Sequence, residues 1–176
     1  MTQIFTAIGN ACTDLIAKVD DQFLLNHNIR KYFCIHFKTV DELNKVIADM
    51  PPYQSIAGGA GANVAHVVAA LGGTAHFISK IGSDRAGAVF QKNMEENGVT
   101  CHFPPPPADD KISSQVLTLI TPDGERTFAS FDEVARTMNF DDFNADILAK
   151  TSVLYLDGYC YCSPHTPESF ICVAEN

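Results

Sequence analysis

The chain has 176 residues, enough for one domain of ordinary size. With 46% hydrophobic and 19% charged residues it can bury a core and is no disordered polymer. A formal net charge of −9 excludes an extended nucleic-acid surface, which needs clustered Lys and Arg, but still allows a nucleotide held by backbone N–H groups.

From Met1 to Asn10 there is no basic segment and no long apolar run, so neither secretion nor a membrane anchor is expected. The 6 cysteines contain no CxxC pair, which fits free thiols in a reducing cytoplasm. Cys160 and Cys162 would share one face of a strand. Without a His or Cys partner at metal-ligand spacing, they read as buried thiols rather than ligands. The 6 histidines form no HxH or HExxH pair, and no metal site is expected.

In chain order, residues 3–9 read as a short buried strand and 13–19 as a second, more exposed one. Asp20 and Asp21 cap a short helix to about His27, and residues 31–37 return to strand character. Thr39 with Glu42 makes a capping box for a helix to about Asp49, which Pro51-Pro52 ends. Residues 53–57 read as a strand and Gly58-Gly59-Ala60-Gly61 as a flexible loop. A helix over 62–71 follows, with Val64, Val67, Val68 and Leu71 on one apolar face. Gly72-Gly73 stops it, residues 75–80 form a strand, and Asp84 caps a helix with Ala86, Val89, Phe90 and Met94 on one face. Strand, glycine loop, helix and strand suggest a βαβ unit and a parallel sheet.

Residues 113–121 and 126–131 flank Pro122-Asp123-Gly124 and read as a β-hairpin with both faces partly used. A helix from Asp141 to about Lys150, a strand over 152–157 and a helix starting at Thr166-Pro167-Glu168 complete the reading. The last helix has no C-cap and no strand after it, so the chain reads as interrupted. An unpaired sheet edge would then favour self-association.

The glycine loop has three candidate classes. A Walker loop needs Gly-Lys-Ser/Thr, and no lysine follows Gly61. A dinucleotide loop wants a third glycine where Val64 stands. The third class fits along its whole length. Gly58-Gly59-Ala60-Gly61-Ala62-Asn63-Val64-Ala65, then Gly72, then Gly82, resembles the first signature of the pfkB (ribokinase-like) carbohydrate and nucleoside kinases. Around it stand Gly9-Asn10 with Asp14, Ile81-Gly82-Ser83-Asp84-Arg85-Ala86-Gly87, Thr121-Pro122-Asp123-Gly124-Glu125-Arg126-Thr127 and Leu156-Asp157-Gly158-Tyr159. Their order and spacing are more similar to the adenosine-kinase-like branch than to ribokinases proper.

The resemblance implies an α/β, ribokinase-like fold: a mostly parallel sheet flanked by helices, with a small β lid at about 13–19, 31–37 and 113–131. Residues 1–176 would be the N-terminal part of one such domain. It also implies phosphate transfer from ATP, with Mg2+, to a primary hydroxyl of a nucleoside such as adenosine or of an unphosphorylated sugar. A sugar phosphate is disfavoured, because no Arg and Lys cluster marks a second phosphate site. The implied acceptor-binding residues are Asn10, Asp14, Gly58, Gly59, Asn63 and Asp157.

These residue types suit that work. Adjacent glycines let a polar ligand touch the backbone, and a carboxylate accepts from paired hydroxyls. An amide such as Asn63 both donates and accepts. The plainer alternatives are a solvated turn carboxylate for Asp14, a helix-start residue for Asn63 and a turn cap for Asn10. Asp157 stands where the branch usually has Glu, and Ala60 where ribokinases place a lysine, so ribose is disfavoured. The aromatic rings of Tyr32-Phe33-Cys34-Ile35-His36-Phe37 suit stacking on a base or packing of the lid.

The family's second signature, a Gly-Ala-Gly-Asp run supplying the anion hole and the catalytic base, does not occur in the sequence. No catalytic residue is therefore expected in this chain. Two expectations stand: part of an active kinase, or an inactive binding module.

Overall fold

The computed structural model describes residues 3–106, 111–162 and 171; the helix expected from Thr166 lies outside them. Two sheets organise these residues. The first is parallel, in the order β6 (Val99–His102), β5 (Thr74–Ile78), β1 (Ile4–Ile8), β9 (Val153–Leu156). Helices α3 (Ala60–Ala70) and α4 (Arg85–Glu96) pack on one of its faces. Their core is Phe77, Phe90, Met94 and Val99 with a group of alanines. This is the α/β, ribokinase-like arrangement that the signature implied.

The second sheet is mixed, in the order β3 (Cys34–His36), β8 (Arg126–Phe131), β7 (Ser114–Ile120), β2 (Cys12–Lys18), β4 (Gln54–Gly58). Helices α1 (Asp21–Asn26) and α2 (Val40–Asp49) cover one face through Leu24, Leu43 and Val46. Alternation assigns the faces. Leu15 and Ala17, Leu117 and Leu119, and Ala129 and Phe131 point into that core, together with Ile35. The opposite face presents Asp14, Val116, Phe128, Ser130, Cys34 and His36. The expected capping box at Thr39 and Glu42 is present, and Asp20 and Asp84 cap α1 and α4.

Several expectations need correction. The strand before the glycine loop joins the second sheet, where β4 pairs antiparallel with β2. The run β4–α3–β5 therefore links two sheets and is not a βαβ unit within one. The loop is also shorter than expected, because Gly59 is already the N-cap of α3 and Gly61 lies inside the helix. The buried face of α3 is Gly61, Ala62 and Ala65, while Val67 is 58% and Leu71 84% exposed. Small residues let the helix lie close to the sheet, and periodicity of bulky residues alone misplaces that face.

Of residues 31–37 only Cys34–His36 form a strand, since Tyr32 takes a φ of 70° that breaks an extended run. The helix expected over 141–150 is reduced to a 3-10 turn and α5 (Ala145–Leu148), which Asn144 caps. Cys160 lies in a 3-10 turn, Gly158–Cys162, so it and Cys162 do not share a strand face.

The corrected α3 face yields a direct check. Ala65→Leu should overpack the helix–sheet contact and cost about 1–3 kcal/mol in urea unfolding. Val67→Ser should stay within about 0.5 kcal/mol of the parent protein, as exposed positions do.

Candidate functional site

In an open parallel sheet, ligands bind beyond the carboxyl ends of the strands, where the strand order reverses. Here β5 and β6 lie on one side of β1 and β9 on the other, so the reversal falls between β1 and β9. Gly9 and Asn10 follow β1, and Asp157 follows β9. From Asn10 the chain crosses to β2 of the second sheet, whose outward face closes over the same point. Ala11 N donates to the buried Ser79 Oγ (2.9 Å), fixing the crossover.

A cavity of about 310 Å³ lies between the two sheets, a size within the range of small-ligand sites. Of the expected residues, Asn10, Asp14, Gly59 and Asp157 line it. Gly58 lies directly behind Asp14: a Cβ there would fall 2.5 Å from Asp14 Oδ2. Gly59 holds a φ of 96°, and a Cβ on it would fall 2.5 Å from the Asn10 carbonyl oxygen. Only glycine meets both demands. Asn63 is set apart; it is exposed in the first turn of α3, its N–H bonded to the Gly59 carbonyl, and it is not in the cavity wall.

Asp157 is 2% exposed and held firmly. Its Oδ2 accepts from Gly61 N (3.3 Å) and its Oδ1 from Tyr159 N (3.1 Å). Since Gly59 has no side chain to cap α3, this carboxylate from a distant strand serves the helix N-terminus instead. Asn10 Oδ1 accepts from Cys160 Sγ (3.0 Å). Burial, with Asp157 adding to it, pushes the Cys160 thiol up, so it stays protonated as a donor.

Asp14 differs. It has no hydrogen-bond partner among the described residues, and burial pushes its carboxyl up to about 6. An accepting group at the cavity wall is thus left open.

Sequence reading did not name as site residues much of the rest of the wall, including Cys12, Cys34, His36, Val116, Phe128, Ser130 and Asp132. The alternation of the hairpin against its buried set, Leu117, Leu119 and Ala129, carries the signal for several of these. Register places His36, Ser130, Val116 and Asp14 in one row across the second sheet. Ser130 Oγ and His36 Nδ1 share a hydrogen bond of 2.6 Å. The motif around Asp84 has a different role. Asp84 accepts from Gly87 N and from Ser113 Oγ, tying α4 to the start of β7. A larger cavity of about 440 Å³, between Cys101–Pro104 and Asp141–Asn144, contains none of the signature residues.

The family model described as pfkB family carbohydrate kinase matches residues 6–176. The chain belongs to this family. Among curated relatives, a probable fructokinase-4 of Arabidopsis thaliana is 31% identical over 111 residues, 62% of this chain and 34% of that protein. An adenosine kinase 2 of the same plant is 25% identical over 98% of this chain and 51% of its own length. Among solved structures, the adenosine kinase of Sinorhizobium meliloti superposes with a TM-score of 0.82 at 27% identity. That match covers 99% of this chain and 53% of the solved one. The pfkB chain thus spans about a third to a half of the relatives it matches. No helix among the described residues is long and apolar enough to cross a membrane.

The state of Asp14 has a measurable consequence. Its folded pKa, about 6, lies above the ordinary 3.8, so between these values the folded protein binds more protons than the unfolded chain. Its contribution to stability is therefore full below about pH 4 and falls as pH rises through 6. Urea midpoints should show this decline in the parent protein and a flatter profile in Asp14→Asn. Identical profiles would place Asp14 in open solvent.

Proposed function

We propose that the cavity between the two sheets is the acceptor site of an ATP-dependent small-molecule kinase. The acceptor is a nucleoside of the adenosine type or an unphosphorylated sugar. One observation carries this reading: a half-buried carboxylate, Asp14, faces the cavity without a partner among the described residues, next to Asn10, Gly59 and Asp157. An open carboxylate in such a place suits a neighbouring pair of hydroxyls, each donating to one oxygen.

Charge supports the same class. Asp14, Asp132 and Asp157 all line the cavity, and among the described residues no Lys or Arg does. A phosphorylated sugar would meet repulsion there, whereas a neutral polyol would find acceptors. The names of the relatives, fructokinases and adenosine kinases, suit both kinds of neutral acceptor.

ATP and Mg2+ are the donor and the cation that the family implies. The residues at this cavity do not fit them. A triphosphate needs cationic side chains or a helix N-terminus left free, and the α3 N-terminus already holds Asp157. Among the described residues no group of three or more His, Cys, Asp and Glu could hold a metal ion. The sequence also contains no Gly-Ala-Gly-Asp run. The chain's own residues therefore bind and orient the acceptor, and no transfer step is assigned to them. That same missing run favours a second reading, a binding module that transfers no phosphate.

Calorimetry with adenosine and fructose tests the acceptor site. Asp14→Asn should weaken whichever ligand binds by about 2–3 kcal/mol, the scale of a hydrogen bond to a charged group. An unchanged dissociation constant would remove Asp14 from the site. Adding ATP and magnesium to the same samples separates the two readings. We expect no phosphorylated product from the 176-residue chain alone.

A further inference from the structure

The row of side chains across the second sheet changes character along its length. Asp14 stands at one end, Val116 beside it, then Ser130, then His36 at the sheet edge. The neighbouring row adds Phe128 and Cys34 to the same wall. The wall is thus acidic, then apolar and aromatic, then polar again. With strands about 4.8 Å apart, Ser130 lies roughly 10 Å from Asp14 and His36 roughly 14 Å from it.

We propose that His36, held in place by Ser130, is the specificity-determining residue of this cavity and selects a nucleoside over a free sugar by hydrogen-bonding the edge of the base. The inference rests on the acceptor-site reading above and names the substrate class within it.

Three observations carry it. First, the 2.6 Å contact between Ser130 Oγ and His36 Nδ1 fixes the ring at the cavity wall. The hydroxyl either donates to Nδ1 or accepts from it, so Nε2 is left as a donor or as an acceptor. It has no partner among the described residues.

Second, length discriminates. A hexose ring anchored on Asp14 is roughly 6 Å across, from bonds of about 1.5 Å, and ends over Val116. A planar base joined to that sugar continues along the row to Ser130 and His36.

Third, the middle of the wall offers no hydrogen-bonding side chain at Val116 or Phe128. Sugar hydroxyls placed there would lose water without compensation, whereas the face of a base loses little. Ser130 thereby acts as a positioning residue for His36.

The test compares dissociation constants of the full chain for adenosine and for fructose by calorimetry. His36→Leu should weaken adenosine about three- to tenfold, the range for one neutral hydrogen bond, and leave fructose unchanged. Ser130→Ala should show a smaller loss with the same selectivity. His36→Gln, whose amide can reach the same partner, should restore most of the adenosine affinity.

Unchanged adenosine binding in His36→Leu, or an equal loss for both probes, would overturn the inference. If His36→Leu does not fold, Ser130→Ala decides by the same criterion. Asp14→Asn separates the two levels of the argument. If it weakens binding while His36→Leu does not, only the role of His36 falls. If the parent chain binds neither probe, the acceptor site falls with it.

Discussion

The carboxylate of Asp157 rests against the first turn of α3 with no side chain between them, and the cleft depends on that contact. Gly61 N donates to its Oδ2, and a Cβ on Gly9 would fall 3.0 Å from the same oxygen. Three segments therefore meet at van der Waals distance: the ends of β1 and β9 and the start of α3. Any side chain at Gly9 would push them apart. The contact joins the end of the parallel sheet to the helix that continues directly from β4 of the second sheet. Movement of Asp157 would thus be felt at Gly59 and behind Asp14.

Around this joint the two sheets divide the labour. The parallel sheet supplies rigid strand ends, with Phe77 and Ile78 fully enclosed beneath the site. The second sheet supplies a broad wall whose inner face is packed by α1 and α2 and whose outer face lines the cavity. Its outer edge is tied at the hairpin turn. There Lys31 reaches both Asp21 and Asp123 at 2.7 Å, and Asp123 is held down at about 2 by Lys31 and the Thr121 hydroxyl. Both partners are exposed, so the link orders the turn more than it stabilises the fold.

Much of this was legible in the sequence because it is written in short-range chemistry. Glycine pairs, capping residues and the turn at Gly124 depend on near neighbours, and so do Asn10, Asp14, Gly59 and Asp157 as members of motifs. Features that depend on pairing were not legible. That β4 pairs with β2 depends on the register of two strands far apart in the sequence, and the positive φ of Gly59 then turns the chain from β4 into α3. The buried side of α3 is set by how closely the sheet approaches, which favours Gly61, Ala62 and Ala65 over the valines. His36 and Ser130 are 94 positions apart and meet only through the β3–β8 register. Asn63, also a motif position, lies in the first turn of α3 and outside the cavity wall.

The claim on which all of this turns is that the space between the two sheets takes the acceptor. Amide hydrogen exchange with and without adenosine tests it most directly, because it reports the location of binding without presuming a residue. Bound ligand should slow the amides of Gly59, Ala60 and Gly61 and of the β7–β8 hairpin, while the already buried β1 and β5 change little. Protection confined to Cys101–Pro104 and Asp141–Asn144, around the larger cavity, would contradict the account and move the site to the β6 edge of the parallel sheet.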